Sequence, residues 1–444
     1  MDTLAQLRAG QLAGIRRLDL NCGLTAFPRE IFDLADSLEV LNLSGNALDN
    51  LPDDLGRLRR LRVLFCSDNR FSELPASIGQ CRQLDILGFK ANRIRQVPAA
   101  ALPASLRWLI LTDNCIEALP ESLGGCLGLQ KLMLAGNRLR HLPESLAACQ
   151  RLELLRIAAN QLTALPDWLL ALPRLAWLAY AGNPLDEWLG SSDPVMGIPE
   201  IPWASLDLQA PLGEGASGVI HRALWSCPPQ APQAVAVKLF KGRITSDGSP
   251  LDEMAACMAA GSHRHLIGAQ GRVVEQPEGL AGLVLRLIDP CFVTLAGPPS
   301  LASCTRDCYA EGLVFPLQVA LRLASGIAQA AAHLHGQGIL HGDLYAHNIL
   351  WDGQGDCLLG DFGAASRYAV PGSQQAQALQ GIEVRAFGIL LEELLARCAP
   401  TTASAAALAQ WRALQDSCTQ AEVLARPSFA QIDQALGLIQ ATPS

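Results

Sequence analysis

The sequence predicts two unlike parts: an α/β solenoid of repeats over the first half, and a domain of mixed strands and helices over the second. Leucines recur every 23 residues through the first half, with one repeat a residue shorter. The second half instead holds a glycine-rich turn, a lone lysine on an apolar strand and two polar runs that contain aspartate. The periodic half therefore predicts stacked units, and the aperiodic half predicts a domain that carries chemistry.

Each repeat begins with a leucine and continues into a short L-x-x-L-x-L-like strand and an asparagine. The leucines are Leu38, Leu61, Leu84, Leu106, Leu129, Leu152 and Leu175. The asparagines are Asn46, Asn69, Asn92, Asn114, Asn137, Asn160 and Asn183. This pattern resembles the leucine-rich repeat family, in which each strand buries its leucines only against neighbouring repeats. We expect the asparagines to bond successive backbone turns as an internal ladder.

The first repeat and the exposed strand positions add two further predictions. The segment from Ile15 has Gly23 at the asparagine position, which predicts an atypical terminal repeat that caps the stack. The strand positions expected on the concave face are Val63, Phe65, Trp108, Ile110, Met133 and Trp177, interspersed with Lys90, Lys131 and Arg156. Because this face is largely apolar, it predicts a surface that binds a protein, either a separate partner or the second half of this chain. The alternative is a register one residue off, which would place these side chains in the core.

Composition limits the classes of partner and compartment. The net charge is −8 and no basic run is present, so nucleic acid is not expected to bind. The N-terminus lacks a long apolar segment, so we expect no signal peptide and no membrane span. Several of the fourteen cysteines occupy repeat positions that leucine holds elsewhere, and they behave as small hydrophobic residues. We therefore expect no disulfides and a cytoplasmic location.

The motifs of the second half follow one another in a definite order. They are Gly213-Glu214-Gly215-Ala216-Ser217-Gly218, Val235-Ala236-Val237-Lys238, Glu253 in a predicted helix, His341-Gly342-Asp343-Leu344-Tyr345-Ala346-His347-Asn348, and Asp361-Phe362-Gly363. Phosphoryl transfer from ATP needs a carboxylate to accept a hydroxyl proton and oxygen ligands to hold magnesium. In order and spacing, these motifs resemble the eukaryotic-type protein kinase family over residues 203–440. The resemblance implies an α+β two-lobed domain, ATP and Mg²⁺ as cofactors, and a bacterial leucine-rich repeat kinase.

The resemblance also assigns roles to residues. The implied catalytic residues are Asp343, Lys238 and Asn348, with Asp343 as the base, and the implied metal ligands are Asn348 and Asp361. The implied ATP-binding residues are Gly213, Gly215, Gly218, Ile220, Ala236, Lys238, Glu253 and Leu285. The glycines allow the backbone to lie close over phosphates. Lys238 lies on an apolar strand and needs a carboxylate partner, for which Glu253 is expected and Asp252 competes. Ile220 and Ala236 fit an adenine sandwich or plain strand core.

Departures from the family pattern concern regulation and the substrate platform. Gly342 stands where most protein kinases have the arginine that meets a phosphorylated loop, so control by loop phosphorylation is not expected. Tyr345 replaces a usual lysine, and His347 is either a cation for the γ-phosphate or a structural histidine. The segment after Gly363 is short and has no Ala-Pro-Glu. Arg426 therefore lacks its usual glutamate, which places the peptide platform in doubt.

We therefore expect an ATP-dependent protein kinase directed to Ser/Thr hydroxyls, with repeats for protein binding or autoregulation. The alternatives are a pseudokinase scaffold, a nucleotide-gated switch that serves the repeats, and a small-molecule kinase. Aminoglycoside-type kinases share His-Gly-Asp, but the intact Asp-Phe-Gly and Val-Ala-Val-Lys oppose that class. The predicted boundaries are a repeat domain at 1–185, a linker at 186–204, and a kinase-like domain at 205–440 with lobes at 205–288 and 289–440.

Overall fold

The computed structural model describes residues 3–185, 199–368, 372–399 and 405–441, apart from positions 216, 228, 230, 242, 243 and 246. The chain forms two compact units, Met1–Leu172 with Asn183–Leu185 and Pro173–Gly182 with Asp186–Ser444. The sequence placed the boundary after residue 185, whereas the structure assigns Pro173–Gly182 to the second unit. Repeat periodicity continues through this segment, so sequence pattern alone does not reveal its packing.

The first unit is a solenoid of short parallel strands. The α-helix α1 (Thr3–Arg8) precedes them, and the strands are β1 (Arg17–Asp19), β2 (Val40–Asn42), β3 (Val63–Phe65), β4 (Ile86–Gly88), β5 (Trp108–Ile110), β6 (Lys131–Met133) and β7 (Leu154–Arg156). Each strand pairs in register with the next, so that Leu64 lies beside Leu87. The middle leucine of each strand is buried, because it points into the stack while its two neighbours point to the concave face.

Short turns return the chain from one strand to the next. They are the 3₁₀ segments Arg29–Leu34, Leu55–Arg57, Ala76–Gln80, Ala99–Ala101, Glu121–Gly125 and Glu144–Ala148, and the helical turn α2 (Asp167–Leu170). A proline precedes most of these turns, since its fixed φ suits the residue before a helical turn. Buried Cys81, Cys126 and Cys149 end three of them, which agrees with their expected role as small apolar residues.

The asparagines form the expected ladder. Asn137 accepts the backbone N–H of Ile116 at 3.0 Å and donates to the carbonyls of Leu111 and Leu134, both at 2.9 Å. The same pattern repeats at Asn69, Asn92, Asn114 and Asn160. Each side chain thus satisfies buried backbone groups of successive turns. The first repeat has Gly23 with a φ of +73° in place of the asparagine, as expected for a terminal repeat.

The small lobe of the second unit is built on a six-stranded sheet. The strand β8 (Trp177–Ala179) precedes it, and its members are β9 (Glu200–Pro202), β10 (Leu206–Glu214), β11 (Gly218–Trp225), β12 (Gln233–Phe240), β13 (Ala269–Val274) and β14 (Gly282–Arg286), in the order β10-β11-β12-β14-β13-β9. The helix α3 (Pro250–Ala259) lies between β12 and β13 in the chain. Residues 186–198 of the predicted linker lie outside the described residues, and its end forms β9, with Ile201 buried in the lobe core.

The large lobe is mainly helical. Its elements are β15 (Val293–Thr294), α4 (Leu317–Gly336), β16 (Ile339–Leu340), β17 (Ile349–Trp351), β18 (Cys357–Leu359), β19 (Ser366–Arg367), α5 (Gln374–Leu395), α6 (Ala405–Cys418) and α7 (Phe429–Ala441). Many residues of α4 and α5 are buried, so these two helices form much of the lobe's core. Among the described residues, no helix combines the length and the apolar character needed to cross a bilayer.

Candidate functional site

The lysine of β12 pairs with a carboxylate of α3. Lys238 Nζ contacts Glu253 Oε1, and both side chains are largely buried. The structure thus places Glu253 against Lys238, rather than the competing Asp252. Burial raises the pKa of Glu253, as does the charge of Asp361, while Lys238 lowers it. A buried cation and a buried carboxylate in contact satisfy each other, and the cation is held at a fixed position on the sheet.

The predicted ATP-binding side chains share one face of the small-lobe sheet. In the register of β11 and β12, Ile220 lies opposite Lys238. In the register of β12 and β14, Ala236 lies opposite Leu285. Because side chains alternate along a strand, these four project from the same face. Neighbouring Val235, Val237 and Val284 project from the other face into the lobe core. The face with Lys238 therefore offers apolar side chains beside one positive charge.

The glycine-rich turn connects β10 and β11. A Cβ at Gly213 or Gly215 would have no atom within 4 Å, so both glycines lie in open space. A Cβ at Gly218 would instead overlap the backbone carbonyl of Leu239. Ala216 lies outside the described residues. Gly218 is therefore required by strand packing within the protein, while Gly213 and Gly215 leave room above the turn.

The run at 341–348 is held by hydrogen bonds among its own residues and to the turn before Asp361. His341 is fully buried and its Nε2 lies 2.8 Å from the Gly360 carbonyl, while its Nδ1 accepts the backbone N–H of Asp343 at 3.3 Å. Asn348 Nδ2 donates to the Asp343 carbonyl at 2.9 Å and to Asp343 Oδ2 at 2.8 Å. The Asp343 carboxylate is thus oriented from one side and remains half-buried. Such a carboxylate is available to accept a proton.

Asp361 adopts a backbone conformation that is rare for a residue with a side chain. Its φ is +59°, in the left-handed region, and its Oδ1 accepts the Gly363 N–H at 3.1 Å. The residue is exposed. Strain of this kind persists only where surrounding structure enforces it, and here buried Phe362, packed near His341, anchors the next residue. The carboxylate is thereby aimed away from the core.

Sequence reasoning missed Asp307, which lies 40 positions before His347 with no motif around it. The buried carboxylate of Asp307 accepts the backbone N–H of His347 at 3.0 Å and lies 2.7 Å from His347 Nδ1. Burial lowers the pKa of His347, but the bond to Asp307 and the charges of Asp343 and Asp361 raise it more, so the net shift is upward. His347 is therefore anchored by Asp307, and its charged form is favoured by the nearby carboxylates.

Glu383 holds the other side of residues 341–348, the segment that carries the predicted base and is called the catalytic run below. Its Oε1 accepts the Gly342 N–H at 2.7 Å, and its Oε2 lies 2.8 Å from His335 Nε2. Burial raises the pKa of Glu383, but the bond from His335 and the charges of His335 and His341 lower it more. A buried glutamate of α5 thus bonds to the backbone of residues 341–348, and its ionised form is favoured.

The segment after Asp-Phe-Gly is short and largely enclosed. Residues 364–368 lead through β19, and α5 begins at Gln374; positions 369–371 lie outside the described residues. Ser366 and Tyr368 are buried, and Ser373 caps α5 by accepting the Ala376 N–H. Arg426, which the family pattern pairs with a glutamate, donates instead to the carbonyls of Gly381, Gln420 and Pro173. Burial lowers the pKa of Arg426 to about 10.

The concave strand positions of the first unit have the expected register. Leu64, Leu109 and Leu132 point into the stack and are fully buried, which rules out the register one residue off. Lys131 Nζ lies 4.4 Å from the ring centre of Trp108, and Trp108 Nε1 lies 3.4 Å from Met133 Sδ. Lys131 and Arg156 are buried despite their charge, Val63 is also buried, and Phe65, Ile110 and Lys90 are half-buried. Trp177 belongs to the second unit.

Comparison with known proteins identifies both parts. Residues 206–386 match the family model described as protein tyrosine and serine/threonine kinase, and residues 37–58 match the leucine-rich repeat model. The chain combines leucine-rich repeats with a protein kinase domain.

Individual relatives agree with this assignment. A rice (Oryza sativa) protein named as a cyclin-dependent kinase F-2 is 27% identical over 247 residues, which cover 50% of this chain and 72% of the relative. The serine/threonine-protein kinase mos of chicken (Gallus gallus) is 27% identical over 184 residues, covering 38% of this chain and 51% of the relative. The kinase domain is thus related to serine/threonine kinases, and the chain spans only about half the length of mos. Both relatives are eukaryotic, so the expected bacterial source gains no support.

A solved structure of the leucine-rich repeat protein LIC12759 from Leptospira interrogans is also similar. It is 30% identical, covers 38% of this chain and 49% of that chain, and has a TM-score of 0.33.

Proposed function

We propose that the chain transfers the γ-phosphoryl group of ATP to Ser/Thr hydroxyls of proteins. The observation that carries the proposal is the arrangement of Asp343 and Asn348, linked by two hydrogen bonds, in the same domain as the Lys238–Glu253 pair. These are the positioned base and the phosphate-binding cation that this chemistry requires. The family model spans both tyrosine and serine/threonine kinases, so the choice of hydroxyl rests on the serine/threonine relatives.

The residues present also fit a bound magnesium ion. Asn348 uses its amide N–H groups on Asp343, which leaves its carbonyl oxygen as a ligand atom, and Asp361 presents an exposed carboxylate. Amide and carboxylate oxygens are the hard ligands that Mg²⁺ takes in phosphoryl-transfer sites. Bound to these two residues, Mg²⁺ would neutralise negative charge on the phosphates.

The chain's own residues then divide the remaining work. Asp343 accepts the proton of the attacking hydroxyl, since it is half-buried and oriented by Asn348. Lys238 binds phosphate oxygens from the sheet face, with Glu253 fixing its position. Ile220, Ala236 and Leu285 bind the adenine ring from the same face, and Gly213 and Gly215 let the turn lie over the phosphates.

The deciding experiment is incubation with labelled ATP and Mg²⁺, alone and with a generic protein acceptor or an aminoglycoside. Label on serine or threonine of protein supports the proposal, and phosphoamino acid analysis separates these from tyrosine. Label on the aminoglycoside supports the alternative of a small-molecule kinase, which the short segment between Gly363 and α5 favours. ATP binding without transfer to either acceptor supports the pseudokinase alternative.

The repeats are proposed to bind a protein through the concave surface formed by Phe65, Trp108, Ile110, Lys131 and Met133. Trp108 is a half-buried aromatic with a cation over its ring, the kind of anchor in which interfaces concentrate their free energy. The variant Trp108→Ala separates binding from packing. Loss of partner or substrate recognition without a lower melting temperature supports a binding surface, whereas a lower melting temperature alone assigns Trp108 to the core.

The proposed compartment is the cytoplasm. No disulfide joins the cysteines in the part of the chain that the structure describes, and the buried ones serve as core residues. Burial raises the pKa of the thiol of Cys81 to about 11, which keeps it protonated and unreactive.

A further inference from the structure

A tryptophan of the repeat sequence lies directly against the catalytic run. Trp177 of β8 is almost fully buried within the second unit, and its indole ring stacks on the ring of Tyr345. The ring centres are 4.1 Å apart and the rings are inclined by 5°. The indole Nε1–H donates to the Leu344 carbonyl at 3.0 Å. Leu344 and Tyr345 immediately follow Asp343, so Trp177 holds the backbone that carries the proposed base.

The same segment holds the strand that follows Asp-Phe-Gly. The backbone N–H groups of Tyr180 and Ala181 both donate to Ser366 Oγ, at 3.0 and 3.2 Å. The Tyr180 hydroxyl donates to the Arg367 carbonyl at 3.0 Å. Ser366 is buried, so these bonds are shielded from water. Segment 173–182 therefore bonds to both loops of the proposed site.

Gly342 shows how closely the segment approaches. Its φ is +72°, and a Cβ there would lie 2.5 Å from the Ala364 carbonyl oxygen and 2.8 Å from that of Leu178. No side chain fits between these backbones. The positive φ and the Ala364 carbonyl already require glycine at this position, and the Leu178 carbonyl of segment 173–182 closes the remaining space.

Two arginines of the large lobe fix the start of the segment. Arg426 Nη2 donates to the Pro173 carbonyl at 2.8 Å, and Arg385 Nε donates to the Arg174 carbonyl at 3.2 Å. Arg426 is buried, and bonds from a charged donor in such surroundings are strong. The segment is thus anchored to α5 and to the chain before α7, not only to the catalytic run.

We propose that Trp177 is a positioning residue for phosphoryl transfer, acting through Tyr345 and Leu344 to hold Asp343 in place. Segment 173–182 is then a fixed structural support for the catalytic run. It packs against Gly342 and accepts a hydrogen bond from Arg426. This inference rests on the proposed function. Small misplacement of a reacting group is costly, and a shift of about 1 Å can reduce the rate by about 10²-fold.

The test compares Trp177→Ala, Trp177→Phe, Tyr345→Ala and the double variant Trp177→Ala/Tyr345→Ala in the full chain. Trp168→Ala is the matched control, because Trp168 lies nine positions earlier in the first unit. The readouts are kcat, the KM for ATP, and hydrogen exchange of the backbone amides at 341–348. Trp177→Phe retains a ring but removes the indole N–H, so it remains informative if the alanine variant does not fold.

We expect Trp177→Ala to lower kcat by roughly tenfold to 10²-fold with the KM for ATP changed less than about twofold, since the small-lobe face is untouched. Hydrogen exchange at 341–348 should become faster in Trp177→Ala. Trp168→Ala should change neither kcat nor exchange, and Trp177→Phe should lower kcat less than Trp177→Ala does. Because Trp177 acts through Tyr345, the double variant should be no slower than the slower single variant. Unchanged exchange in Trp177→Ala and Trp177→Phe, or losses that multiply in the double variant, would overturn the proposal.

The exchange measurement also separates this proposal from the proposed function. If the unmodified chain transfers no phosphate, the kinase proposal fails by the labelled-ATP assay. Faster exchange at 341–348 in Trp177→Ala would still show that Trp177 positions the catalytic run, and unchanged exchange would still refute it.

Discussion

Two asparagines, one in each unit, use the same side chain in opposite ways. Asn137 of the repeats is buried and has both ends engaged, with its NH₂ group donating to two carbonyls and its oxygen accepting an N–H. Asn348 of the kinase domain is half-buried and uses its NH₂ group on Asp343 alone. Among the described residues, its carbonyl oxygen receives no hydrogen bond.

The difference separates a structural polar residue from a functional one. A polar group that is buried and satisfied stabilises the fold, whereas an oriented group with one end open is prepared for a ligand. The repeats use their asparagine many times, so each copy contributes a share of stability. In the proposed site Asp343, Asn348 and Asp361 each occur once, so loss of one should remove activity. The predictions below test this contrast, beginning with the largest expected effect.

Asp343→Asn should lower the rate of phosphoryl transfer by about 10²–10⁴-fold, because it removes the positioned proton acceptor. ATP binding should be largely retained, since the sheet face around Lys238 is unchanged. The measurement is single-turnover transfer of labelled phosphate together with ATP titration. Asp416→Asn, which neutralises an exposed carboxylate on α6, is the control. Near-normal turnover in Asp343→Asn would remove this residue from the mechanism.

Lys238→Met and Asp361→Ala should each lower the rate by about 10²-fold, for different reasons. The first removes a phosphate contact and leaves Glu253 buried without its cation, while the second removes a metal ligand. Raising the Mg²⁺ concentration should partly restore Asp361→Ala and should not restore Lys238→Met. Rates measured across a magnesium titration test this. Equal rescue of the two variants would contradict the assigned roles.

The sequence predicted the residues that lie in local motifs and missed the contacts between residues far apart in the chain. Lys238, Asp343, Asn348 and Asp361 stand in short local motifs, which is why the sequence alone predicts a role for each. Asp307 bonds to His347 from 40 positions away, with no local pattern to mark it. Segment 173–182 repeats the leucine pattern and yet packs in the second unit, and β9 joins the small-lobe sheet from a proline-rich stretch. In each of these cases the position of the segment depends on contacts with residues distant in sequence, and such contacts leave no periodic pattern in a single sequence.

Glu393 tests whether a half-buried ionisable group of the kinase domain is structural, as Asn137 is in the repeats. It accepts a hydrogen bond from the Tyr309 hydroxyl at 3.0 Å. Burial, with the charge of Asp307, raises the pKa of Glu393 to about 7 from an ordinary 4.5. The folded state therefore favours the protonated form of Glu393. Its contribution to the free energy of unfolding is fully present below pH 4.5 and is lost as the pH rises through 7.

In the unmodified chain, the free energy of unfolding should therefore fall by up to about 3 kcal/mol between pH 5 and pH 8. Glu393→Gln should abolish this fall, because an amide does not ionise. Denaturant melts at both pH values measure this. Glu392→Gln, one position earlier and exposed, removes the same charge and should leave the pH dependence unchanged. If Glu393→Gln loses as much stability with rising pH as the unmodified chain does, this carboxyl is not the source.

The smallest expected effects come from the two asparagines themselves. Asn137→Ala leaves the buried Ile116 N–H without its partner and removes one of the two side-chain donors from each of the Leu111 and Leu134 carbonyls. This loss should cost about 2 kcal/mol of unfolding free energy in the repeats. Turnover at a temperature well below the melt should be unaffected. Asn348→Ala should show the reverse, a loss of about 10–100-fold in activity or metal affinity with little change in stability.

Denaturant melts and turnover are both measured on Asn137→Ala and on Asn348→Ala. Asn50→Ala, at an exposed position, is the control for loss of an amide side chain. The reverse pattern depends on the open carbonyl oxygen of Asn348, since a fully engaged amide has nothing left to offer a ligand. If Asn348→Ala lowers stability as much as Asn137→Ala and leaves turnover intact, then Asn348 only ties down the Asp343 loop, and the magnesium site must be sought on other oxygens.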